Sequence, residues 1–153
     1  PRIRLLQSEN ECGFGDNTWD YALYFWTMMK HYISNGAESY LYWNPVLEPV
    51  GRSTWGDPQN AMVTVDPASH RYTLNPDYYV MKSVSAVVQR GAVRLGMRGA
   101  WAADTLAFQN PDGSLALSVF NPFHEVRGMT LLHNGETLLF PLKQRAVTSI
   151  LIA

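Results

Sequence analysis

The sequence predicts an α+β chain, with an α/β part first and an antiparallel β-sandwich second. Up to Gly91, apolar residues at helical spacing alternate with short extended runs, and after Gly91 the apolar period changes to two. The second part also contains Asn110-Pro111-Asp112-Gly113 and Asn134-Gly135, where Asn and Gly accept the positive φ angles of hairpin turns. We therefore divide the chain into residues 1–91 and residues 92–153.

The first part opens with a strand, a helix and a second strand. A short apolar strand over 3–8 ends at Glu9, and a helix is predicted over 18–34, capped by Asp16 or Asn17. Asn35-Gly36 is a usual signal for a helix end. A strand over 38–44 completes a βαβ unit, which implies parallel pairing of its two strands.

A long irregular loop over 45–60, rich in Pro, Gly and Trp, follows this unit. Loops of this length in a compact domain are often functional. Extended segments are expected over 62–66 and 72–74. Pro76 then favours the first turn of a helix over 77–89, closed by Gly91.

The second part has period-two patterns separated by turns, which is typical of an antiparallel sandwich. The predicted strands are Val93 to Arg98, Thr105 to Asn110, Leu115 to Asn121, Gly128 to His133, Glu136 to Leu142 and Ala146 to Ile152.

The bulk composition excludes several classes of function. Charged residues make up only 16 % and the net charge is −1, so no basic surface suggests nucleic acid as a partner. Cys12 is the only cysteine, which excludes an intrachain disulfide. No apolar run approaches the roughly 20 residues of a membrane-spanning helix. No spacing of His, Cys or carboxylates predicts a metal or another cofactor. Because the first residues already read as the start of a buried strand, we expect that the protein extends upstream of residue 1.

An acidic strand end and a nearby aromatic segment suggest a sugar-cleaving site. Glu9 follows the first strand, and Trp43-Asn44 ends the second. A carboxylate can attack an anomeric carbon or transfer a proton, and flat rings stack on the apolar face of a pyranose. Trp55 lies in the long loop that follows.

An ordered series of segments resembles the C-terminal part of glycoside hydrolase family 30, which contains glucosylceramidases and β-1,6-glucanases. The matching segments are Gln7-Ser8-Glu9, Glu11-Cys12-Gly13, Asn17-Thr18-Trp19-Asp20-Tyr21, Lys30-His31-Tyr32, Asn35-Gly36-Ala37, Tyr42-Trp43-Asn44, Ser53-Thr54-Trp55-Gly56, Gln59-Asn60, Val65-Asp66, Tyr78-Tyr79-Val80-Met81-Lys82, Gly91-Ala92, Asn110-Pro111-Asp112-Gly113-Ser114 and Val119-Phe120-Asn121.

The resemblance implies the last two βα units of a (β/α)₈ TIM barrel followed by a β-sandwich. The strands over 3–9 and 38–44 would be the seventh and eighth barrel strands. Members of the family retain the anomeric configuration with two carboxylates. Glu9 would be the nucleophile, whereas the general acid/base would lie on the fourth strand, outside this chain. We therefore expect no hydrolysis by the isolated chain.

Each of the other proposed site residues also has an ordinary structural explanation. Trp43 and Trp55 would line the sugar pocket or simply fill space, and Asn44 would bind a sugar hydroxyl or cap the loop. Glu11, two residues after Glu9, is most simply a loop carboxylate. The chain departs from the family at Val50-Gly51-Arg52 and Asp57-Pro58, which puts the substrate preference in doubt but not the reaction type.

An alternative from another class is a non-catalytic carbohydrate-binding or structural module, with the β part as the working unit. Under the enzyme interpretation, the partners are a carbohydrate or glycolipid substrate and either an N-terminal barrel half or a second copy of the chain, which would cover the open strand edges. Enzymes of the family are commonly exported, periplasmic or lysosomal.

Overall fold

A computed structural model describes residues 3–9 and 13–153 of the chain. The chain divides into two compact units, Pro1–Met81 and Lys82–Ala153. Each is described by itself.

The first unit begins with the predicted strand, helix and strand. Strand β1 spans Leu5–Gln7, helix α1 spans Trp19–Ser34, and strand β2 spans Ala37–Tyr40. The two strands pair in parallel, as the sequence predicts, with Leu5 opposite Ala37 and Gln7 opposite Tyr40. Both strands are shorter than expected, because the chain leaves the ladder before Glu9 and before Trp43.

Helix α1 begins at a cap different from the one predicted. Thr18 is the N-cap, and its side chain accepts a hydrogen bond from the backbone N–H of Tyr21, so neither Asp16 nor Asn17 has this role. The helix ends as predicted, with Asn35 as C-cap and Gly36 at a φ of 101°. One face of α1 is buried and consists of Ala22, Leu23, Phe25, Trp26 and Met29.

A three-stranded sheet and a second helix complete the first unit. Strands β3 (Val46–Leu47), β4 (Val63–Asp66) and β5 (Arg71–Leu74) lie in that order, with β3 and β4 parallel and β4 and β5 antiparallel. Helix α2 spans Pro76–Ser85 and ends before Gln89, the predicted end. Pro76 is its first residue, where the missing N–H of proline costs no helical hydrogen bond.

The second unit is built from antiparallel strands, as predicted. They are β6 (Val93–Leu95), β7 (Thr105–Gln109), β8 (Leu115–Asn121), β9 (Arg127–His133), β10 (Glu136–Leu142) and β11 (Ala146–Ile152). One sheet has the order β11-β8-β7-β6, and β9 pairs with β10 in a second sheet. The predicted hairpin turns are present, with Gly113 and Gly135 at positive φ.

Residues from both sheets of the second unit share one hydrophobic core. Strands β7, β8 and β11 contribute one side, and β9 and β10 contribute Met129, Leu131 and Leu142 from the other. Every residue of β8 is buried, since this strand lies in the middle of its sheet. This arrangement is the sandwich that the period-two pattern predicts.

The described part of the chain contains no closed barrel, and the assignment of β1 and β2 to the last two βα units of a barrel stays a prediction. The structure there has two α-helices and several small sheets, of which β1-β2 has two parallel strands. Neither described helix is long and apolar enough to cross a membrane.

Candidate functional site

The predicted site residues Glu9, Trp43 and Asn44 are placed at one end of the β1-β2 sheet. The pairing of Gln7 with Tyr40 fixes the register, and both chains leave the sheet in the same direction because the strands are parallel. Glu9 follows the end of β1, and Trp43-Asn44 follows the end of β2. The carboxyl ends of neighbouring parallel strands are where ligand sites of α/β proteins form.

Gln7 links the backbone of Glu9 to the segment that follows strand β2. Its side chain is buried, and its Nε2 donates to the backbone oxygen of Glu9 in a short contact. The backbone N–H of Leu41 donates to the backbone oxygen of Gln7 at 3.1 Å and faces its Oε1 at 3.4 Å. The backbone at Glu9 is therefore held by both strands, while the Glu9 residue is exposed.

The ring of Trp43 is exposed, whereas two nearby tyrosines pack against helix α1. Tyr40 and Tyr42 pack against Phe25 of α1, with ring centroids 5.8 and 5.0 Å away, as the alternation of strand side chains predicts. Trp43 itself is 49 % exposed. A ring with this exposure is accessible to a ligand, which a buried core ring is not.

Asn44 is held by the far end of the long loop. Its Nδ2 donates to Oε1 of Gln59 at 2.6 Å. The peptide bond between Trp43 and Asn44 is cis. Asn44 is half-buried, and its contact with Gln59 ties the segment after β2 to the far end of the loop.

Trp55 lies at the tip of the loop and is 88 % exposed. The turn is closed by the side chain of Ser53, which accepts from the backbone N–H groups of Trp55 and Asp57, both at 3.2 Å. Its base is closed by the Gln59 N–H, which donates to the Gly51 oxygen at 3.1 Å. The position of Trp55 is therefore set by the loop that carries it, and Gln59 connects this loop to Asn44.

Two asparagines, Asn17 and the buried Asn60, link the segment before α1 to the end of the long loop. The Asn17 N–H donates to Oδ1 of Asn60, and the Ala61 N–H donates to Oδ1 of Asn17, both at 3.1 Å. Gly13 packs against this pair: a Cβ there would lie 2.9 Å from Asn60 Nδ2 and from the Tyr21 ring. Only glycine therefore fits at this point without a shift of its neighbours.

The carboxyl group of Asp77 is buried beneath the site, with a relative exposure of 1 %. Tyr42 donates its hydroxyl hydrogen to Oδ2 of Asp77 in a short hydrogen bond. Burial and, to a smaller extent, the nearby Asp16 carboxylate raise the pKa of Asp77 to about 6, although Tyr42 and the Asn60 amide oppose the rise by favouring the charged form. The pKa of the neighbouring Tyr40 hydroxyl is also raised, chiefly by burial.

The sequence offered no direct signal for the roles of Gln7, Gln59, Asn60 and Asp77. Gln59-Asn60 belongs to the segments that carry the family resemblance, but the side-chain contacts that it makes come from distant parts of the chain. Asp77 reads in sequence only as a favourable acid in the first turn of a helix. Glu11 and Cys12 lie outside the described residues.

Nothing in the described ranges, 3–9 and 13–153, groups three or more His, Cys, Asp or Glu residues closely enough to hold a metal ion. The second unit has a cavity of about 850 Å³ between the segment 96–101 and strand β9. Trp101 lines it but also packs on the hydrophobic core, and Met129 and Leu131 of that core form the wall. The cavity is the open side of the sandwich core.

Solved structures of glycoside hydrolases share this arrangement over nearly all of the chain. The endo-β-1,6-glucanase BT3312 is 22 % identical, with a TM-score of 0.84 over 98 % of this chain and 36 % of its own. SrfJ from Salmonella typhimurium is 22 % identical, with a TM-score of 0.81 over 97 % of this chain and 34 % of its own. The catalytic domain of GH30 xylanase C from Talaromyces cellulolyticus is 14 % identical, with a TM-score of 0.70 over 100 % of this chain and 41 % of its own.

The chain has the fold of a C-terminal portion of family 30 glycoside hydrolases. The predicted resemblance is thereby confirmed at the level of the fold. The chain spans between 34 and 41 % of the length of these three structures. No profile of a known protein family matches the sequence. A comparison with curated protein sequences gives no match either.

Proposed function

We propose that this chain is the C-terminal part of a retaining β-glycosidase in which Glu9 is the nucleophile. The observation that carries the proposal is the position of Glu9: it is exposed after the carboxyl end of β1, and Trp43, which is also exposed, follows the carboxyl end of the parallel strand β2, in a fold shared with glycoside hydrolases. In this proposal, β1 and β2 are the seventh and eighth strands of a (β/α)₈ barrel, and α1 and α2 belong to its outer layer.

The proposed reaction has two steps. The first forms a covalent glycosyl-enzyme intermediate, and the second hydrolyses it. The Glu9 carboxylate attacks the anomeric carbon, while a second carboxyl group about 5 Å away protonates the departing glycosidic oxygen. That second group, then a carboxylate, removes a proton from a water molecule as the water oxygen attacks the anomeric carbon. The ester bond to Glu9 breaks, and the sugar leaves with its original configuration. The general acid/base belongs to a part of the protein that is not in this chain, so the isolated chain would not catalyse the reaction.

The proposed substrate is a β-linked glucoside, which both a glycolipid and a β-1,6-glucan present. Trp43 would stack on the apolar face of the sugar, and its indole N–H would donate to a hydroxyl group. Asn44, whose Nδ2 donates to Gln59, would bind a sugar hydroxyl. Trp55, on its anchored loop, would contact the sugar or the aglycone further out.

The alternative of a non-catalytic binding or structural module is not favoured. The likeness to the three solved structures covers between 97 and 100 % of the chain, so it includes the first unit and not only the β-sandwich. The cavity of the second unit is formed by the edge of the sandwich core and offers no separate aromatic platform beyond Trp101.

The proposed nucleophile is tested by Glu9→Gln in the full-length protein. Because glutamine has almost the same shape but cannot form the glycosyl ester, hydrolysis of an aryl β-glucoside should fall by roughly 10⁴-fold or more, as it does when a catalytic group is removed. Glu48→Gln, which changes an exposed glutamate of the long loop, is the matched control and should keep its activity. Unchanged kcat in Glu9→Gln would refute the proposal.

A further inference from the structure

Two chain segments of the proposed active site converge on one buried carboxyl group. Tyr42, which directly precedes Trp43, donates its hydroxyl hydrogen to Oδ2 of Asp77. Asn60 also faces this carboxyl group, since its amide stabilises the charged form of Asp77. Among the described residues, Asp77 Oδ1 and Asn60 Nδ2 are both buried without a hydrogen-bond partner of normal geometry.

Asn60 extends the connection to the segment that follows Glu9. Its Oδ1 accepts from the backbone N–H of Asn17, and its neighbour Gln59 accepts from Nδ2 of Asn44. The segments 13–17, 42–44 and 59–61 are therefore linked by buried and half-buried polar contacts, and Asp77 is the acidic member of this set.

We infer that Asp77 is a positioning residue for the proposed active site. Its carboxyl group holds Tyr42 and faces Asn60, and through them it fixes Trp43-Asn44 relative to the loop that follows Glu9. The inference rests on the proposed function for its catalytic meaning, but the coupling between Asp77 and Trp43 is a property of the chain itself.

Two interactions partly offset the cost of burying the Asp77 carboxylate. A hydrogen bond to an ionised acceptor is roughly twice as strong as one between neutral groups. Asp77 is the second residue of α2, where the helix dipole favours negative charge. The titratable groups that face it are Tyr42 and Tyr40 from the β2 segment and Asp16 from the loop before α1. Both tyrosines are neutral near neutral pH, so Asp16 is the facing group whose charge opposes ionisation of Asp77.

A role in positioning makes a different kinetic prediction from a role in folding alone. A misplacement of about 1 Å in a group that holds the substrate can cost on the order of 100-fold in rate. In the full-length protein, Asp77→Ala should lower kcat per folded molecule by roughly 10- to 100-fold with KM little changed. Asp77→Asn should lose less, because its amide oxygen still accepts from Tyr42. Tyr42→Phe in the Asp77→Ala background should add little, because the two groups act as one unit.

The control is Asp66→Asn, which removes another hydrogen-bonded aspartate of the first unit. Asp66 is half-buried, and its carboxylate accepts hydrogen bonds from the Ala68 N–H and the Ser69 hydroxyl of its own turn. It should leave kcat unchanged. If Asp77→Ala and Asp77→Asn both keep the kcat of the parent protein per folded molecule, Asp77 is not a positioning residue.

A second experiment measures the coupling between Asp77 and Trp43 and needs no activity assay. The protein is prepared with 5-fluorotryptophan, and the Trp43 resonance is assigned by its loss in Trp43→Phe. This resonance should titrate with a midpoint near the Asp77 pKa of about 6 and should lose that titration in Asp77→Asn. A Trp43 resonance that is indifferent to pH and to both Asp77 variants overturns the inference. If Trp43 responds but Glu9→Gln keeps its activity, the coupling is supported and the proposed function fails.

Discussion

Asp77 combines full burial with an ionisable group, so its protonation affects the stability of the protein. Its pKa is raised from 3.8 to about 6, with burial as the main cause. A raised acid pKa contributes stability that is fully present below pH 3.8 and is lost as the pH rises through about 6. Near neutral pH the buried negative charge is compensated mainly by the hydrogen bond from Tyr42.

Asp77→Asn should therefore change how stability depends on pH. Between pH 4 and 7 the variant should gain up to about 3 kcal/mol in free energy of unfolding relative to the parent, since one pKa unit corresponds to about 1.4 kcal/mol. Urea unfolding at both pH values measures this difference. Asp66→Asn should show little change over the same range, because the Ser69 hydroxyl lowers the pKa of Asp66 from 3.8 and this group therefore titrates below pH 4. A difference between Asp77→Asn and the parent that is independent of pH would contradict the burial argument.

The site residues differ in how far the sequence could predict them. Glu9, Trp43 and Asn44 follow strand ends, and a parallel βαβ pattern is enough to bring them to one edge. The cluster of Asn17, Asn60 and Asp77 could not be predicted in the same way. Its contacts join residues far apart in the chain, and each of these residue types also has an ordinary local role in a cap or a turn.

At the scale of elements, the start of helix α1 shows where local signals compete. Asp16, Asn17 and Thr18 are all residue types that cap helices, so composition alone does not choose among them. Asn17 is occupied elsewhere, because its backbone and side chain bind Asn60 and Ala61. Thr18 is left to accept from Tyr21, and Asp16 in turn accepts from the Thr18 hydroxyl at 3.0 Å.

This assignment predicts the effect of changes at Thr18. Thr18→Ala removes the acceptor for the Tyr21 N–H and should lower the free energy of unfolding by about 1 kcal/mol. Thr18→Ser keeps the hydroxyl and should stay within about 0.5 kcal/mol of the parent. Urea unfolding followed by circular dichroism provides the measurement. Equal losses in the two variants would show that the hydroxyl does not cap the helix.

The predicted strand ends agree with the structure where turn residues mark them clearly in the sequence. The predicted bounds of β8, β10 and β11 agree with the structure, because Asn-Gly and Pro-Asp-Gly turns and alternating side chains mark them clearly. β1 and β2 extend less far than their apolar patterns. Helix α2 ends early because the run of apolar residues after Ser85 continues as turns, with the Val88 N–H donating to the Val84 oxygen.

At the scale of the whole molecule, the fold is shared with glycoside hydrolases at only 14 to 22 % identity. Short ordered motifs predicted this likeness where no family profile matches. The motifs are concentrated at strand ends, caps and turns, where backbone geometry restricts the residue types. The rest of the chain is free to vary as long as apolar faces are kept, so overall identity is a weak guide to this fold.

The first unit exposes several large apolar side chains. Leu5 and Leu6 of β1 and Leu41 after β2 are each more than half exposed. Such exposure is expected if the two strands belong to a larger barrel, because the rest of the barrel would cover them. In the proposed full-length enzyme, neighbouring barrel strands would cover these side chains, and the same strands would bring the general acid/base opposite Glu9.

The central claim is that Glu9 forms a covalent bond with the sugar. The most direct test treats the full-length protein with a 2-deoxy-2-fluoro-β-glucosyl fluoride, digests it and identifies the labelled peptide by mass spectrometry. We expect one label on Glu9, and no label in Glu9→Gln. A label on a different carboxylate, or full turnover of an aryl β-glucoside by a protein that never acquires a label on Glu9, would contradict it.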